Sequence, residues 1–150
     1  DEIKGVRAGL NSAVVGTGTS LPRVPMAYII CQKRIITKLL LPDGSAAAPP
    51  GTMVNGLQSL HYTTFYINGR APPNSTAKPV RYMVVENELP KNVSLEELTW
   101  AECHNYANWA GPVKVPAVCQ DAHKVAEHVG TFTDDGKVHY EAFTNRLFFL

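Results

Sequence analysis

The sequence predicts a mixed α/β fold built as one domain. Three observations predict it. Apolar residues recur at helical spacing near the start and again late in the chain, runs of β-branched and aromatic residues fill the middle, and turn-rich stretches separate them. A length of 150 residues sets one domain as the prior and is enough to bury a core. The order is helix, strands, then two helices, a mixed α/β layout.

Each element has its own signal. Ile3, Val6, Leu10 and Val14 fall on one helical stripe, with Asp1 and Glu2 suited to a helix N-terminus. The opening Asp1-Glu2-Ile3-Lys4 lacks Met and any signal-peptide pattern, so the chain is expected to begin inside an element, as a piece of a longer protein. Gly16 to Pro25 reads as a loop; its Gly-Thr-Gly lacks the Lys and the strand–helix context of a phosphate loop. Met26 to Cys31 is a continuous apolar run that fits a strand buried on both faces, and Ile35 to Leu41 reads as strand-like too. Pro42 to Gly51 is a loop. Leu60 to Ile67 and Pro79 to Glu86 read as strands around a loop from Gly69 to Lys78. Ser94-Leu95-Glu96-Glu97 is a capping box that opens a helix to about Asn108. Pro112 to Pro116 is extended. Val118, Ala122, Val125, Ala126 and Val129 mark an amphipathic helix ended by Gly130, and Thr131 to Lys137 is a turn-rich loop.

Composition narrows the function classes. Apolar residues make up 45% and charged residues 18%, and the net charge is +1, so nucleic-acid binding has to come from local clustering of Lys and Arg. Cys31, Cys103 and Cys119 are an odd set with no C-x-x-C pair, which points to a reducing compartment, cytoplasmic or nuclear, and not to a disulfide framework. No apolar run approaches the ~20 residues of a membrane span. The sequons at Asn74 and Asn92 are read as chance matches in an intracellular chain.

Basic residues gather at element ends. Lys33, Arg34 and Lys38 follow the first strand; Arg70, Lys78 and Arg81 surround the second loop; Lys114, His123, Lys124 and His128 flank the last helix. The three groups could converge on a phosphate backbone, or they are scattered solvated charge. Cys103, His104, Cys119 and His123 could be arranged into a zinc site, but Cys103 and His104 are adjacent and leave their helix on different faces. Two-metal phosphodiester hydrolysis needs a cluster of carboxylates. Asp134-Asp135 sits in a polar turn and nothing else groups, so this chain alone holds no nuclease centre.

Several segments, in order, resemble the C-terminal half of PIWI domains of the Argonaute/Piwi family. Cys31-Gln32-Lys33-Arg34-Ile35-Ile36-Thr37-Lys38 resembles V-Q-K-R-x-x-T-R, and Pro50-Gly51-Thr52-Met53-Val54 resembles P-G-T-V-V. Phe65-Tyr66-Ile67 with Ser75-Thr76-Ala77-Lys78-Pro79 through Tyr82 is similar to F-Y-L … G-T-x-R-P-x-x-Y, and Leu98 to Tyr106 to L-T-x-x-L-C-H-x-Y. Asn108-Trp109-Ala110-Gly111, Val115-Pro116-Ala117, Ala122-His123-Lys124-Val125-Ala126 and the terminal Arg146-Leu147-Phe148-Phe149-Leu150 resemble the Piwi branch. The resemblance implies the C-terminal portion of an RNase H-like PIWI domain, a mixed sheet with flanking helices, incomplete as a stand-alone fold. The first half of that domain, with MID and PAZ, would lie outside residues 1–150.

The resemblance also implies roles. The full protein would bind a small guide RNA and a complementary target RNA, and active members cut the target with divalent metal, Mg2+ or Mn2+. His123 matches the family's catalytic histidine and would ligate a metal or orient its water, while the acidic partners fall before Asp1. Lys33, Arg34, Lys38, Arg70, Thr76, Lys78, Tyr106, Lys114 and Gln120 match guide-phosphate positions, and the Leu150 carboxylate would help hold a metal. The sequence departs from the pattern where Lys38 and Lys78 replace arginines, where Val118-Cys119-Gln120-Asp121 replaces P-x-x-Y, and where His128 stands in place of Arg. Two alternatives stay open: a guide-binding silencing protein without nuclease activity, and an unrelated α/β interaction or zinc-binding domain.

Overall fold

The computed structural model describes residues 2–15, 23–58, 62–70, 78–131, 133–134 and 137–138. In chain order the elements are α1 (Glu2–Val15), β1 (Ala27–Gln32), β2 (Met53–Gln58), β3 (Thr63–Ile67), β4 (Val80–Asn87), α2 (Leu95–Glu102), α3 (Ala117–Thr131) and a short hairpin of β5 (Thr133–Asp134) with β6 (Lys137–Val138). Four strands form one sheet in the order β1-β4-β3-β2, and all three pairings are antiparallel.

The core lies where β3 and β4 meet. Phe65 stands opposite Tyr82 and Ile67 opposite Val80. All four are at most 1% exposed, and with Leu95 of α2 and Val115 they form the buried cluster. The Phe65 and Tyr82 rings stack at 5.0 Å and 12°. Each such side chain contributes about 1.5–3 kcal/mol by leaving water, which makes the β3–β4 pair the anchor of the sheet. It fixes where both strands deliver their neighbouring residues.

Four expectations are corrected. Among the described residues β1 pairs with β4 alone and Ile30 is 44% exposed, so the expected burial on both faces is not present among them. Residues 35–41 form no strand: Ile36 is 95% exposed, and among the described residues one isolated bridge, Leu40 to Ala47, is the only pairing there. α2 ends at Glu102, not near Asn108, because the Cys103 carbonyl accepts from Val113 N–H at 2.8 Å and turns the chain back. α3 also runs through Gly130 to Thr131 and does not stop at that glycine. The capping box is formed as expected at Ser94, whose hydroxyl accepts from Glu97 N–H at 3.2 Å.

The apolar stripe expected on α1 is not its anchor: Val6 and Leu10 remain exposed. Polar contacts tie the helix down instead. Arg7 Nη2 lies 2.9 Å from both Glu86 Oε1 and Glu88 Oε2, and Arg23 also pairs with Glu88. Glu88 feels desolvation, which pushes its pKa up. Hydrogen bonds from Arg7 and Met26 N–H, with the charges of Arg23 and Arg7, outweigh it and hold the carboxyl below its ordinary value. Among the described residues, no helix is long and apolar enough to cross a membrane.

Candidate nucleic-acid interface

One member of the second basic group, Arg70, is brought to the segment of one member of the third, Lys114, by a close approach of backbone. Asn68 is fully buried at the end of β3. Its side-chain amide donates to the carbonyls of Ala48 and Pro49, and its backbone exchanges bonds of 2.9 Å with Gly51 and Thr52. This clamp sends the chain out of the sheet at Gly69, directly against residues 113–114. A Cβ at position 69 would stand 2.7 Å from the carbonyl oxygens of both Val113 and Lys114. Only glycine allows that approach, and it carries Arg70 to the segment that bears Lys114.

Two aromatic rings complete the junction. The Arg70 guanidinium lies over the Trp109 ring, 4.8 Å from its centroid, and Lys124 Nζ lies over the Tyr106 ring at 5.4 Å. Tyr106 is buried, so it works from beneath as a platform for Lys124. Trp109 is 49% exposed and half of its surface is open to a ligand. Arg70 and Lys114 are exposed, and Lys124 of α3 is half-buried. Two cation–aromatic pairs therefore stand on one segment, Arg70 on Trp109 and Lys124 on Tyr106, with the Trp109 N–H bonded to the Tyr106 carbonyl at 3.2 Å and the Lys114 backbone against Gly69. Trp109 was not among the sequence-predicted site residues; its signal was a tryptophan in the polar, glycine-containing stretch Asn108 to Gly111.

The first basic group is only partly joined to the rest. Lys33, just past β1, is close enough to act electrostatically on Cys119 at the start of α3. Gln120 is half-buried next to it in sequence. Arg34 and Lys38 are exposed, and no contact among the described residues draws them to the patch. Lys78 is exposed ahead of the buried Pro79. Thr76 and Leu150 lie outside the described residues.

His123 is exposed on α3. Two residues before it, Asp121 buries its Oδ1 with no hydrogen-bond partner among the described residues. Cys103 is buried while its neighbour His104 is exposed and bonds the Trp100 carbonyl through Nδ1 at 3.0 Å, so the zinc arrangement does not form. Among the described residues no three His, Cys, Asp or Glu side chains group to hold a metal ion. His123 offers a single nitrogen, so these residues do not by themselves fit a divalent centre, and no cleavage step follows from them.

Comparison with known proteins decides the family. The model of the Piwi domain family matches residues 7–134. The chain belongs to that family. Among curated Piwi proteins, it is 33% identical over 132 residues to Piwi-like protein 3 of Homo sapiens, covering 83% of this chain and 14% of that protein. It is 32% identical over 132 residues to Protein piwi of Drosophila melanogaster, covering 87% of this chain and 15% of that protein. The crystal structure of Drosophila Piwi matches 99% of this chain and 20% of its own, with a TM-score of 0.79 and 29% identity. The fold is shared with the C-terminal lobe of a budding yeast Argonaute, at a TM-score of 0.67 and 21% identity over 85% of this chain and 28% of that one. It is also shared with Kluyveromyces polysporus Argonaute solved with a guide RNA, at a TM-score of 0.64 and 20% identity over 85% of this chain and 17% of that one. The chain thus spans about a seventh of the length of these curated Piwi relatives.

Proposed function

We propose that this chain supplies part of a guide-RNA phosphate track in a Piwi-type silencing protein. The observation that carries the reading is the seating of Arg70 on Trp109 and of Lys124 on Tyr106, with the exposed Lys114 in the segment that meets Gly69. Cations whose positions are set by aromatic contacts lose less freedom on gripping a phosphate than free side chains do. The open Trp109 face adds a surface on which a base or sugar can lie. Family membership and the Argonaute solved with a guide RNA support the ligand class. Lys33, Arg34, Lys38, Thr76, Lys78 and Gln120 extend the track in this reading. The partners are a small guide RNA, a complementary target RNA, and the MID domain and first half of the PIWI domain of the full-length protein.

The test is equilibrium binding of single-stranded guide RNAs to the full-length protein. Arg70→Ala, Lys114→Ala and Lys124→Ala should each weaken binding to unrelated guide sequences about equally, because phosphate contacts carry no sequence information. Lys91→Ala, exposed in the turn before α2, should leave it unchanged. Three unaffected variants would overturn the reading.

The proposal extends to target cleavage. His123 would act in a Mg2+- or Mn2+-dependent endoribonuclease whose acidic residues lie elsewhere in the full-length protein. What supports this is the Ala122-His123-Lys124 match and the exposure of His123 on α3. In the full-length protein His123→Ala should abolish cleavage and keep guide binding; undiminished cleavage would remove His123 from the reaction.

A further inference from the structure

Cys119 stands in the first turn of α3, and Cys31 lies near the end of β1. Their sulfurs are 3.8 Å apart although 88 residues separate them in sequence. Both are half-buried, and both line a cavity of about 240 Å3 between β1, α2 and the start of α3, with Leu98 and Glu102 on its α2 side. Neither thiol takes part in the phosphate patch. We propose that Cys119 and Cys31 are a peroxide-sensitive pair that closes to an intramolecular disulfide, joining the start of α3 to β1.

The two sulfurs have unequal roles. Cys119 is the attacking group, because amides of a helix's first turn favour a thiolate there. The contact with Cys31 favours the Cys119 thiolate most, burial opposes it, and the Lys33 charge assists; together they pull the thiol below its ordinary value. Cys31 moves the opposite way, first through its bond to Cys119 and then through burial, so it stays protonated and waits as the resolving thiol. Cys103 provides the contrast. It is fully buried, and burial pushes it up to about 11, which keeps it out of the exchange.

The chemistry is closed by one molecule of hydrogen peroxide. The Cys119 thiolate attacks a peroxide oxygen, the O–O bond breaks, an S–O bond forms, and hydroxide leaves to take a proton as water. Cys31 sulfur then attacks the Cys119 sulfenic acid. The S–S bond forms, the S–O bond breaks, and the hydroxyl leaves with the Cys31 proton as a second water. Two thiols are oxidised and one peroxide is reduced to two waters. The new bond would fix α3, which carries Gln120, His123 and Lys124, against the strand that leads to Lys33 and Arg34.

The experiment treats the full-length protein with hydrogen peroxide, blocks remaining thiols by alkylation and maps the digest by mass spectrometry without reduction. The expected result is a Cys31–Cys119 linked peptide that disappears on reduction, with Cys103 recovered as a free thiol after unfolding. Before oxidation, Cys119 should be alkylated at neutral pH at least ~100-fold faster than Cys103. Cys31→Ser should leave a dimedone-trappable sulfenic acid on Cys119, whereas Cys119→Ser should leave Cys31 a free thiol. The proposal is overturned if both thiols stay free while other cysteines of the protein oxidise. It is also overturned if Cys119 pairs with a different cysteine, or if dimedone captures Cys31 in Cys119→Ser. The wild-type map decides the question even if a variant does not fold.

Discussion

Gly69→Ala is expected to open the junction that holds the basic patch together. The added Cβ would stand 2.7 Å from two backbone carbonyl oxygens and 3.0 Å from the Lys114 carbonyl carbon, where ordinary contact begins at 3.4 Å. The backbone must therefore yield by roughly 0.7 Å, and no side-chain rotation can absorb the overlap. Overpacking of this kind costs about 1–3 kcal/mol. The load falls on the Val113 N–H bond to the Cys103 carbonyl, 2.8 Å long, which returns the 103–113 segment to the fold. Expressed as local opening, that cost is about 5- to 150-fold faster hydrogen exchange at Val113. Guide affinity should fall with it, since Arg70 and Lys114 are moved apart. Hydrogen-exchange mass spectrometry on the full-length protein reads the first effect and RNA binding reads the second. Unchanged exchange at Val113 would refute the close approach; faster exchange with unchanged affinity would refute the patch.

Three further predictions concern the scaffold. Ser94→Ala removes the acceptor for Glu97 N–H and should destabilise α2 by about 1 kcal/mol, read as faster exchange in its first turn. Ile67→Ala removes a side chain with no exposed surface and should cost about 2–5 kcal/mol, read as a lowered denaturation midpoint. Glu88 is held below its ordinary carboxyl value, so its contribution is full above the unfolded-state pKa and is lost as pH falls through the folded one. Acid should thus raise exchange at the Met26 amide, which donates to Glu88 at 3.2 Å, and Glu88→Gln should raise it at neutral pH and flatten the acid response.

Much of the fold was legible because its signals are local. The aromatic and β-branched runs located β3 and β4, and the Ser94 box located the start of α2 to the residue. β2 was not legible. Its Met-Val-Asn-Gly-Leu-Gln does not alternate, and its register with β3 shifts between Val54 and Leu57, so the strand exists by pairing and not by pattern. Residues 35–41 show the converse: Ile35, Ile36 and Leu39 to Leu41 look like a strand, but among the described residues no neighbouring strand offers their backbone a ladder to join. The candidate site divides the same way. Residue types and motif order pointed to Arg70, Lys114 and Tyr106, but that Arg70 meets Trp109 and that Gly69 meets Lys114 are contacts across some 40 residues of chain, set by the exit angle from β3. The pairing of Cys31 with Cys119 was equally hidden, since an odd cysteine count gave no reason to bring two of them together.

The most direct test of the phosphate patch is the salt dependence of guide-RNA binding by the full-length protein and its Arg70→Ala/Lys114→Ala/Lys124→Ala variant. Each lost phosphate contact to a single strand removes about 0.7 from the slope of log affinity against log salt. The triple variant should bind more weakly at low salt with a slope shallower by about 2. A variant with the wild-type slope and affinity would contradict the assignment of these three cations to the guide.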